Sequence, residues 1–454
     1  MQWFSKSKYA KGVVESDQHL TANEGSRPRL AIAHFMLGNT YPFVEKDWLR
    51  TFDLVQDTGL DALALNIGPE EWQFAQACTA YRLISTSTYD IKLFLSLDLM
   101  VLPKDPKLIF DMVVQIIQSG PSAQLRWDDK LLLSTFGGHE LGDEGWKEVL
   151  RGIEKTLSEK VFFIPSFFLP PEEILKKDYV DGAYHWNGAW PMDNSTINLD
   201  SDQPFLNHEK PYMASVSPLF FTHYGTEGDW AFNKNWIYRS DDLLLPTRFS
   251  QLLSLPINKS PEMIQVISWN DFGESHYIGP ILGAQPGSEN WTNGMIHEGF
   301  RLITKYYIKQ WKDQIIVKGK NGDGDKAKHE EKAKLIIWYR IQSKEMSLTE
   351  DKVAKPNHSE WAQDLLNFFI ILPESKYSLK DQYNLYIKND DQTSKAYSLN
   401  VGKPNLINQY FKLGKVEFKI MKNNQEIIIE GKGIDIIQGG NWNYNMWTGI
   451  FDAI

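Results

Sequence analysis

Apolar runs of strand length recur from residue 29 onward and alternate with segments of helical periodicity. Near-continuous apolar strands that alternate with helices are typical of a parallel sheet covered on both faces. Eight such units in roughly 285 residues match the size of a (β/α)8 barrel, which we predict for residues 28–317. The predicted strands are 29–38, 61–68, 91–98, 130–137, 160–168, 181–189, 211–220 and 263–270. The predicted helices are 45–58, 70–85, 106–119, 143–157, 241–255 and 292–312.

A doubly wound α/β sheet is the alternative that the same alternation permits. That fold would place a glycine-rich phosphate-binding turn after the first strand. The residues at that point, 38–42, read GNTYP and do not form such a turn. We therefore favour the barrel.

The pattern changes after residue 317. Residues 318–334 contain no large apolar side chain and read as a linker, as the polar residues 1–27 read as an N-terminal extension. Short strand-like runs follow over residues 335–454, and 415–420 alternates apolar and charged positions as a half-buried antiparallel strand does. We predict a smaller C-terminal β-sandwich here. Its predicted strands are 335–340, 368–372, 382–387, 396–401, 415–420 and 426–430.

Composition narrows the possible functions. The net charge is −10, so the chain lacks the basic character of nucleic-acid-binding proteins. The single cysteine, Cys78, excludes an internal disulfide, and the histidines lack HExxH or HxH spacing, so we expect neither a metal nor another cofactor. No apolar run reaches 18 residues, and residues 1–20 lack the apolar core of a secretory signal. We expect a cytoplasmic protein that does not insert into membranes.

Three carboxylates stand where a barrel places its active site, at the C-terminal ends of the strands. Asp98 ends the third strand, and Asp271 and Glu274 directly follow the eighth. A lone aspartate at a strand end is often a helix cap, but two acids among aromatic residues form the constellation that glycoside cleavage needs. Gly273 permits a turn that brings Asp271 and Glu274 to the same side.

Polar and aromatic residues gather at the same strand ends and are candidates for binding a sugar. Tryptophan in a strand is more often a core residue than a ligand platform, so each candidate needs structural support. The candidate substrate-binding residues are His34, Asn66, Trp186, Trp190, His223, Trp269, His276 and Tyr277.

Long motifs in this order resemble the fungal α-1,3-glucanases (mutanases) of glycoside hydrolase family 71, over about 250 residues. The motifs are AHFMLGNTYPF at 33–43, DALALNIG at 61–68, LFLSLD at 93–98, FFIPSFF at 162–168, DGAYHWNGAWP at 181–191, SPLFFTH at 217–223, KNWIYRSDD at 234–242 and WNDFGESHYIGP at 269–280. The resemblance implies endo-hydrolysis of fungal cell-wall α-1,3-glucan with inversion and without a metal.

By position in these motifs, the resemblance makes Asp271 and Glu274 the catalytic carboxylates and Asp98 a third essential acid. We predict Glu274 as the general acid and Asp271 as the base, with Asp98 fixing the water or a hydroxyl. Inversion predicts a separation of about 6.5–9.5 Å between the two carboxyl groups. The alternatives are a non-catalytic glucan-binding protein and a glycosidase for another glucan linkage.

Relatives of this kind are typically secreted, whereas this sequence shows no signal. We therefore expect the enzyme to reach the wall on lysis or at spore release.

Overall fold

The computed structural model describes residues 29–316, 332–347, 351–389 and 396–454. The predicted extension 1–27 and all but three residues of the predicted linker 318–334 lie outside these ranges. None of the helices in the described ranges is long and apolar enough to cross a membrane.

Parallel strands build the sheet of the larger domain. Seven parallel pairings join eight strands in the order β6-β5-β3-β2-β1-β11-β8-β7. Parallel strands that follow one another in the chain are neighbours in the sheet, and the first strand, β1, pairs with the last, β11. Only β6 and β7, at the two ends of the order, are not joined by a strand pairing. The sheet is therefore curled, and the barrel-type order predicted from the sequence is confirmed. The strands of this domain are β1 (Leu30–Met36), β2 (Ala62–Ile67), β3 (Lys92–Asp98), β4 (Arg126–Trp127), β5 (Lys130–Phe136), β6 (Val161–Phe163), β7 (Ala183–His185), β8 (Tyr212–Val216), β9 (Phe221–His223), β10 (Asn235–Ile237) and β11 (Met263–Val266).

The two end strands approach each other through main-chain hydrogen bonds. The amides of Asp181 and Gly182, just before β7, both donate to the carbonyl of Phe163 in β6, at 2.9 and 3.2 Å. The short strands β4, β9 and β10 lie outside the parallel set, and β9 and β10 form an antiparallel hairpin.

Side-chain alternation along the strands separates two hydrophobic layers. In β1, Ala31 and Phe35 pack in the layer that includes the helices, whereas Ile32 packs in a separate cluster inside the curled sheet. In β3, Phe94 belongs to the inner cluster. Asp98 lies four residues after Phe94 and therefore on the same face of β3. Because Asp98 is the last residue of the strand, its side chain lies at the C-terminal mouth of the sheet.

Helices follow the strands, and capping residues set their ends. Asp105 accepts hydrogen bonds from two amides of the first turn of α3, and Pro106 occupies its first position. Gly59 ends α1 in a left-handed conformation (φ 80°) that favours glycine. The helices are α1 (Glu45–Thr58), α2 (Glu71–Ser85), α3 (Pro106–Ser119), α4 (Gly142–Leu157), α5 (Pro171–Leu175), α6 (Gln203–Leu206), α7 (Leu244–Ser254), α8 (Glu289–Thr292) and α9 (Glu298–Ile316).

Two four-stranded antiparallel sheets form the C-terminal domain, in the orders β16-β13-β12-β19 and β15-β14-β17-β18. One hydrophobic cluster contains side chains from both sheets, including Phe368 and Phe418 with ring centroids 5.8 Å apart. The strands are β12 (Lys334–Tyr339), β13 (Leu365–Ile371), β14 (Tyr383–Asn389), β15 (Tyr397–Leu399), β16 (Asn405–Tyr410), β17 (Val416–Lys422), β18 (Glu426–Lys432) and β19 (Trp447–Asp452).

Several predicted elements were wrong in extent. The run 160–168 contains only the three-residue β6, because Pro165 has no amide to continue a ladder. The run 181–189 is a strand only at 183–185 and continues as a 3-10 helix. The predicted helix 292–312 begins six residues later, since Gly294 adopts a left-handed conformation (φ 81°).

Candidate active site

The loop that follows β11, residues 268–279, carries the two acids and bonds largely to itself. The amide of Ser268 donates to the carbonyl of His276, and the amide of Gly279 donates to the carbonyl of Trp269, both at 2.8 Å. The side chain of Asn270 joins the loop to β1 through the amide and carbonyl of Met36. We call this segment the acid loop.

Gly273 is required by close packing. A Cβ atom at this position would lie 2.5 Å from the hydroxyl oxygen of Tyr224, which itself donates to the carbonyl of Pro286. The turn therefore forms as the sequence suggested, and the amide of Glu274 donates to Asp271 Oδ1 at 2.9 Å.

Asp271 and Glu274 lie side by side rather than across a wide gap. One oxygen of each carboxylate and a ring nitrogen of His276 all lie within 4.8 Å of one another. His276 Nε2 is 3.1 Å from Glu274 Oε2 and 3.9 Å from Asp271 Oδ2. The predicted separation of about 6.5–9.5 Å for this pair is wrong, because the nearest oxygens of the two carboxylates lie within 4.8 Å of each other.

A lysine from the β9–β10 hairpin completes the surroundings of Glu274. Lys234 Nζ donates to Glu274 Oε1 at 3.2 Å, while His276 is buried and bonds the other oxygen. Lys234 was not among the residues predicted from the sequence, although it begins the family motif KNWIYRSDD at 234–242. Both oxygens of Glu274 therefore face positively polarised donors.

The surroundings of the two acids shift their pKa values in opposite directions. Burial raises the pKa of Asp271, and the negative charge of Glu274 adds to that effect against the opposing influence of His276. Burial also raises the pKa of Glu274, but the hydrogen bond from His276 and the charge of Lys234 outweigh it and leave the pKa lowered. The directions of the two pKa shifts favour a proton on Asp271 over one on Glu274, the reverse of the roles predicted from the sequence.

Asp98 belongs to the same electrostatic environment. Burial raises the pKa of Asp98 to about 6, with the charge of Lys234 opposing and that of Glu274 adding to the shift. Its Oδ1 accepts a hydrogen bond from the amide of Met100 at 3.1 Å. Asp98 does not line the cavity described below, but its charge interacts with the residues that do.

A cavity of about 800 Å³ opens beside the acid loop and is lined by both Asp271 and Glu274. Four of its aromatic lining residues form two ring pairs, and we call these residues the rim aromatics: Tyr41, Trp72, Trp230 and Phe232. Tyr41 and Trp72 pack edge to face at 5.5 Å, and the rings of Trp230 and Phe232 lie 5.9 Å apart. Polar lining residues supply hydrogen-bonding groups: Asn39, Glu70, Gln73, Gln285 and Glu289.

The residues predicted to bind substrate do not line this cavity. All eight are buried, and none lines this cavity: His34, Asn66, Trp186, Trp190, His223, Trp269, His276 and Tyr277. The indole of Trp190 donates to the carbonyl of Leu219, and the hydroxyl of Tyr277 donates to the carbonyl of Met295. Since the polar groups of Trp190 and Tyr277 are already bonded inside the protein, these two rings support the site from behind instead of forming a sugar platform.

Three of those buried residues approach the acids. The ring of His34 packs edge to face on Trp186 at 4.8 Å, and Trp186 lies 6.4 Å from His276. Burial lowers the pKa of His34 to about 3, with the nearby His276 adding to that effect. His34 is therefore neutral beneath the acid loop.

By distance alone, Asp271, Glu274 and His276 could ligate a cation. The ammonium group of Lys234, however, already supplies a positive charge to Glu274 at 3.2 Å. The arrangement favours proton transfer by paired carboxylates.

A curled parallel sheet with paired carboxylates at its C-terminal mouth, beside an aromatic-rimmed cavity, defines a glycosidase-type site. The family model described as Glycosyl hydrolase family 71 matches residues 27–453. The chain belongs to this family and is a glycoside hydrolase.

Three curated relatives are similar over most of the chain. The glucan endo-1,3-alpha-glucosidase agn1 of Schizosaccharomyces pombe is 32% identical over 76% of this chain and 78% of its own length. The ascus wall endo-1,3-alpha-glucanase of the same yeast is 26% identical, covering 92% of this chain and 96% of the relative. A mutanase of Penicillium rubens is 28% identical, covering 93% and 89%. Among solved structures, a GH99 endo-alpha-mannosidase from Bacteroides thetaiotaomicron covers 63% of this chain and 98% of its own, with 12% identity and a TM-score of 0.48.

Proposed function

We propose that this enzyme cleaves α-1,3-glucan internally and inverts the anomeric configuration. The main support is the pair of adjacent carboxylates, Asp271 and Glu274, whose pKa values shift in opposite directions and which both line the cavity with the rim aromatics. Membership of family 71 supports the same reaction class. The names of the relatives support the substrate, since all three are glucanases, glucosidases or mutanases.

Asp271 is the proposed general acid. Its raised pKa keeps a proton available for the leaving glycosidic oxygen, and its carboxyl group lines the cavity. Proton donation by such a group typically accelerates glycoside cleavage by about 10²–10⁴-fold.

Glu274 is the proposed ionised carboxylate beside the general acid Asp271. Because Lys234 and His276 occupy its oxygens, its negative charge is fixed in place and stabilises the positive charge that develops on the sugar ring.

Asp98 is the proposed base that activates water. With a pKa of about 6 it is mostly ionised at pH 7, and its charge interacts with those of Glu274 and Lys234. This choice follows from the short distance between Asp271 and Glu274, which is below the spacing typical of an inverting acid and base.

The architecture predicted from the sequence forms part of the proposal. We propose that the curled sheet closes into a (β/α)8 barrel, which the hydrogen bonds from 181 and 182 to Phe163 support. The two C-terminal sheets with their shared core support a β-sandwich.

The test is the release of reducing ends from insoluble α-1,3-glucan, with α-1,4- and β-1,3-glucans as matched substrates. Release from the α-1,3-linked substrate alone supports the proposal, and NMR of the first products gives β-anomers if the reaction inverts. Preferential cleavage of another glucan identifies a different glycosidase, and binding without cleavage contradicts the enzymatic mechanism.

The cellular setting also stays a prediction. A cytoplasmic enzyme would act on wall glucan after lysis or at spore release. Finding the active enzyme in the medium of intact growing cells would contradict this.

A further inference from the structure

The β9–β10 hairpin, which brings Lys234 to Glu274, rests on the C-terminal domain. The amide of Ile237 donates to the carbonyl of Asn357, and the amide of Asn357 donates to the carbonyl of Asn235, at 3.1 and 3.0 Å. The side-chain amide of Asn235 donates to the carbonyl of Ala354 at 2.7 Å. The segment 351–357, between β12 and β13, therefore lies along the hairpin like an added strand.

A buried contact between His223 and Asp351 reinforces this packing. His223, at the end of β9, places Nε2 3.0 Å from Asp351 Oδ2 and Nδ1 2.8 Å from Asn235 Oδ1. Both partners accept hydrogen bonds, because the orientation of the Asn235 amide is fixed by its bond to Ala354. The His223 ring is therefore held through both of its nitrogens, one toward each partner. The His223 and Asp351 side chains are only 6% and 8% exposed.

Asp351 is itself held by its own domain. Its Oδ1 accepts from the amide of Val353 at 3.0 Å, and its Oδ2 also accepts from the amide of Trp442 at 2.8 Å. The carboxylate is thereby fixed in place and offers a rigid partner for the His223 ring of the neighbouring domain.

From these contacts we propose that Asp351 is a positioning residue for catalysis: through His223 and Asn235 it holds the hairpin so that Lys234 reaches Glu274. The C-terminal domain is thereby part of the catalytic unit instead of a separable binding module. We call the contacts that join Asp351, His223 and Asn235 the clamp. The clamp is a property of the fold, and the inference rests on the proposed function only for the effect of the clamp on the reaction.

The consequence is visible in the pH dependence, because Lys234 lowers the pKa of Asp98, Asp271 and Glu274. Other ionisable groups also face Glu274, namely His276 and Asp271 on the acid loop, Asp98 on β3, His34 on β1, and Tyr224 and Tyr238 beside the hairpin. None of them contacts Asp351 in the described part of the chain, so a shift caused at Asp351 is transmitted by the hairpin.

The test compares Asp351→Ala and the isosteric Asp351→Asn with Thr448→Val in the full-length protein. Thr448 is the matched control, because its hydroxyl links the two domains at Ile296 and Gly299, away from the hairpin. Amide hydrogen exchange across 221–237 is expected to accelerate at least about threefold in both Asp351 variants and to stay unchanged in Thr448→Val. This measurement needs no substrate, so it distinguishes failure of the clamp from failure of the proposed function. If the Asp351→Ala variant does not fold, hydrogen exchange in the Asp351→Asn variant alone tests the proposal.

The catalytic half of the test is the pH profile of kcat/KM. Both Asp351 variants are expected to shift the profile to higher pH, as Lys234→Met does, and to add no further shift in a Lys234→Met background. If amide hydrogen exchange across 221–237 is unchanged in the Asp351 variants, the proposal that Asp351 holds the hairpin is wrong. Additive pH shifts, or loss of thermal stability with the wild-type pH profile, would overturn the role of Asp351 in catalysis.

Discussion

The acid loop and the β9–β10 hairpin both contribute to one site but are built in different ways. Most of the acid loop is buried and hydrogen-bonded to itself and to β1. The hairpin exposes its tip, including Trp230 and Phe232 at 46% and 51%, and depends on the C-terminal domain for support.

The difference separates two tasks of the enzyme. Proton transfer needs carboxyl groups fixed to within a fraction of an ångström, and a self-bonded loop on a rigid sheet provides that. Sugar binding and charge tuning tolerate more movement, and they fall to the exposed hairpin. Changes in the acid loop should therefore reduce kcat or stability, whereas changes in the hairpin should affect pH dependence and KM.

The largest expected effect follows from Asp271→Asn. The amide cannot donate the catalytic proton, so kcat should fall by about 10²–10⁴-fold while the folded structure is retained. Initial rates of reducing-end release check this, with the exposed Asp193→Asn as control. Near-native turnover would remove Asp271 from the chemistry.

Trp269→Ala should damage stability instead of binding. Trp269 is 2% exposed and packs directly against Gly279, so its removal leaves a cavity beneath the acid loop. We expect a loss of about 3–5 kcal/mol in the free energy of unfolding, measured by chemical denaturation. A stable variant with only a raised KM would show instead that this ring binds sugar.

Lys234→Met should displace the pH profile of kcat/KM to higher pH. Lys234 lowers the folded-state pKa of the base Asp98 and of the acid Asp271, so its removal raises both values. The low-pH limb then requires a higher pH to ionise Asp98, and the high-pH limb also moves up because Asp271 keeps its proton longer. We expect a shift of about one pH unit.

Lys234→Arg, which keeps the positive charge, should retain most of the original profile. A profile that moves equally in both variants would contradict a role based on charge.

The smallest effect is expected for Trp230→Ala. Loss of one exposed ring should raise KM for soluble oligosaccharides by roughly 3–10-fold, with kcat and thermal stability nearly unchanged. Tyr410→Ala is the control, because Tyr410 is 72% exposed on β16 but does not line the cavity. An equal effect in both variants would indicate that the rim aromatics have no special role.

The sequence predicted the barrel-type strands and the acids because both follow simple patterns. Apolar runs mark strands that are buried on both faces, and α1 and α3 begin and end at the predicted residues. Asp98, Asp271 and Glu274 could be selected because active sites of such folds lie at strand ends. Their mutual spacing depended on the turn around Gly273, which the residue types alone did not determine.

The sugar-facing residues could not be found in the same way. Trp230 and Phe232 lie in a loop without periodicity, whereas Trp190 and Trp269 stand near strand ends and attracted the prediction although they are core residues. The supporting contact of Asp351 with His223 joins residues 128 positions apart in the chain, and no local pattern indicates it.

The most direct test of the account is the crystal structure of Asp271→Asn with a bound α-1,3-linked oligosaccharide. We expect one glycosidic oxygen within about 2.6–3.2 Å of the side chain at position 271, a water beside Asp98, and sugar rings against the rim aromatics. An oligosaccharide bound away from positions 98, 271 and 274 would contradict the assignment of these carboxylates to the reaction.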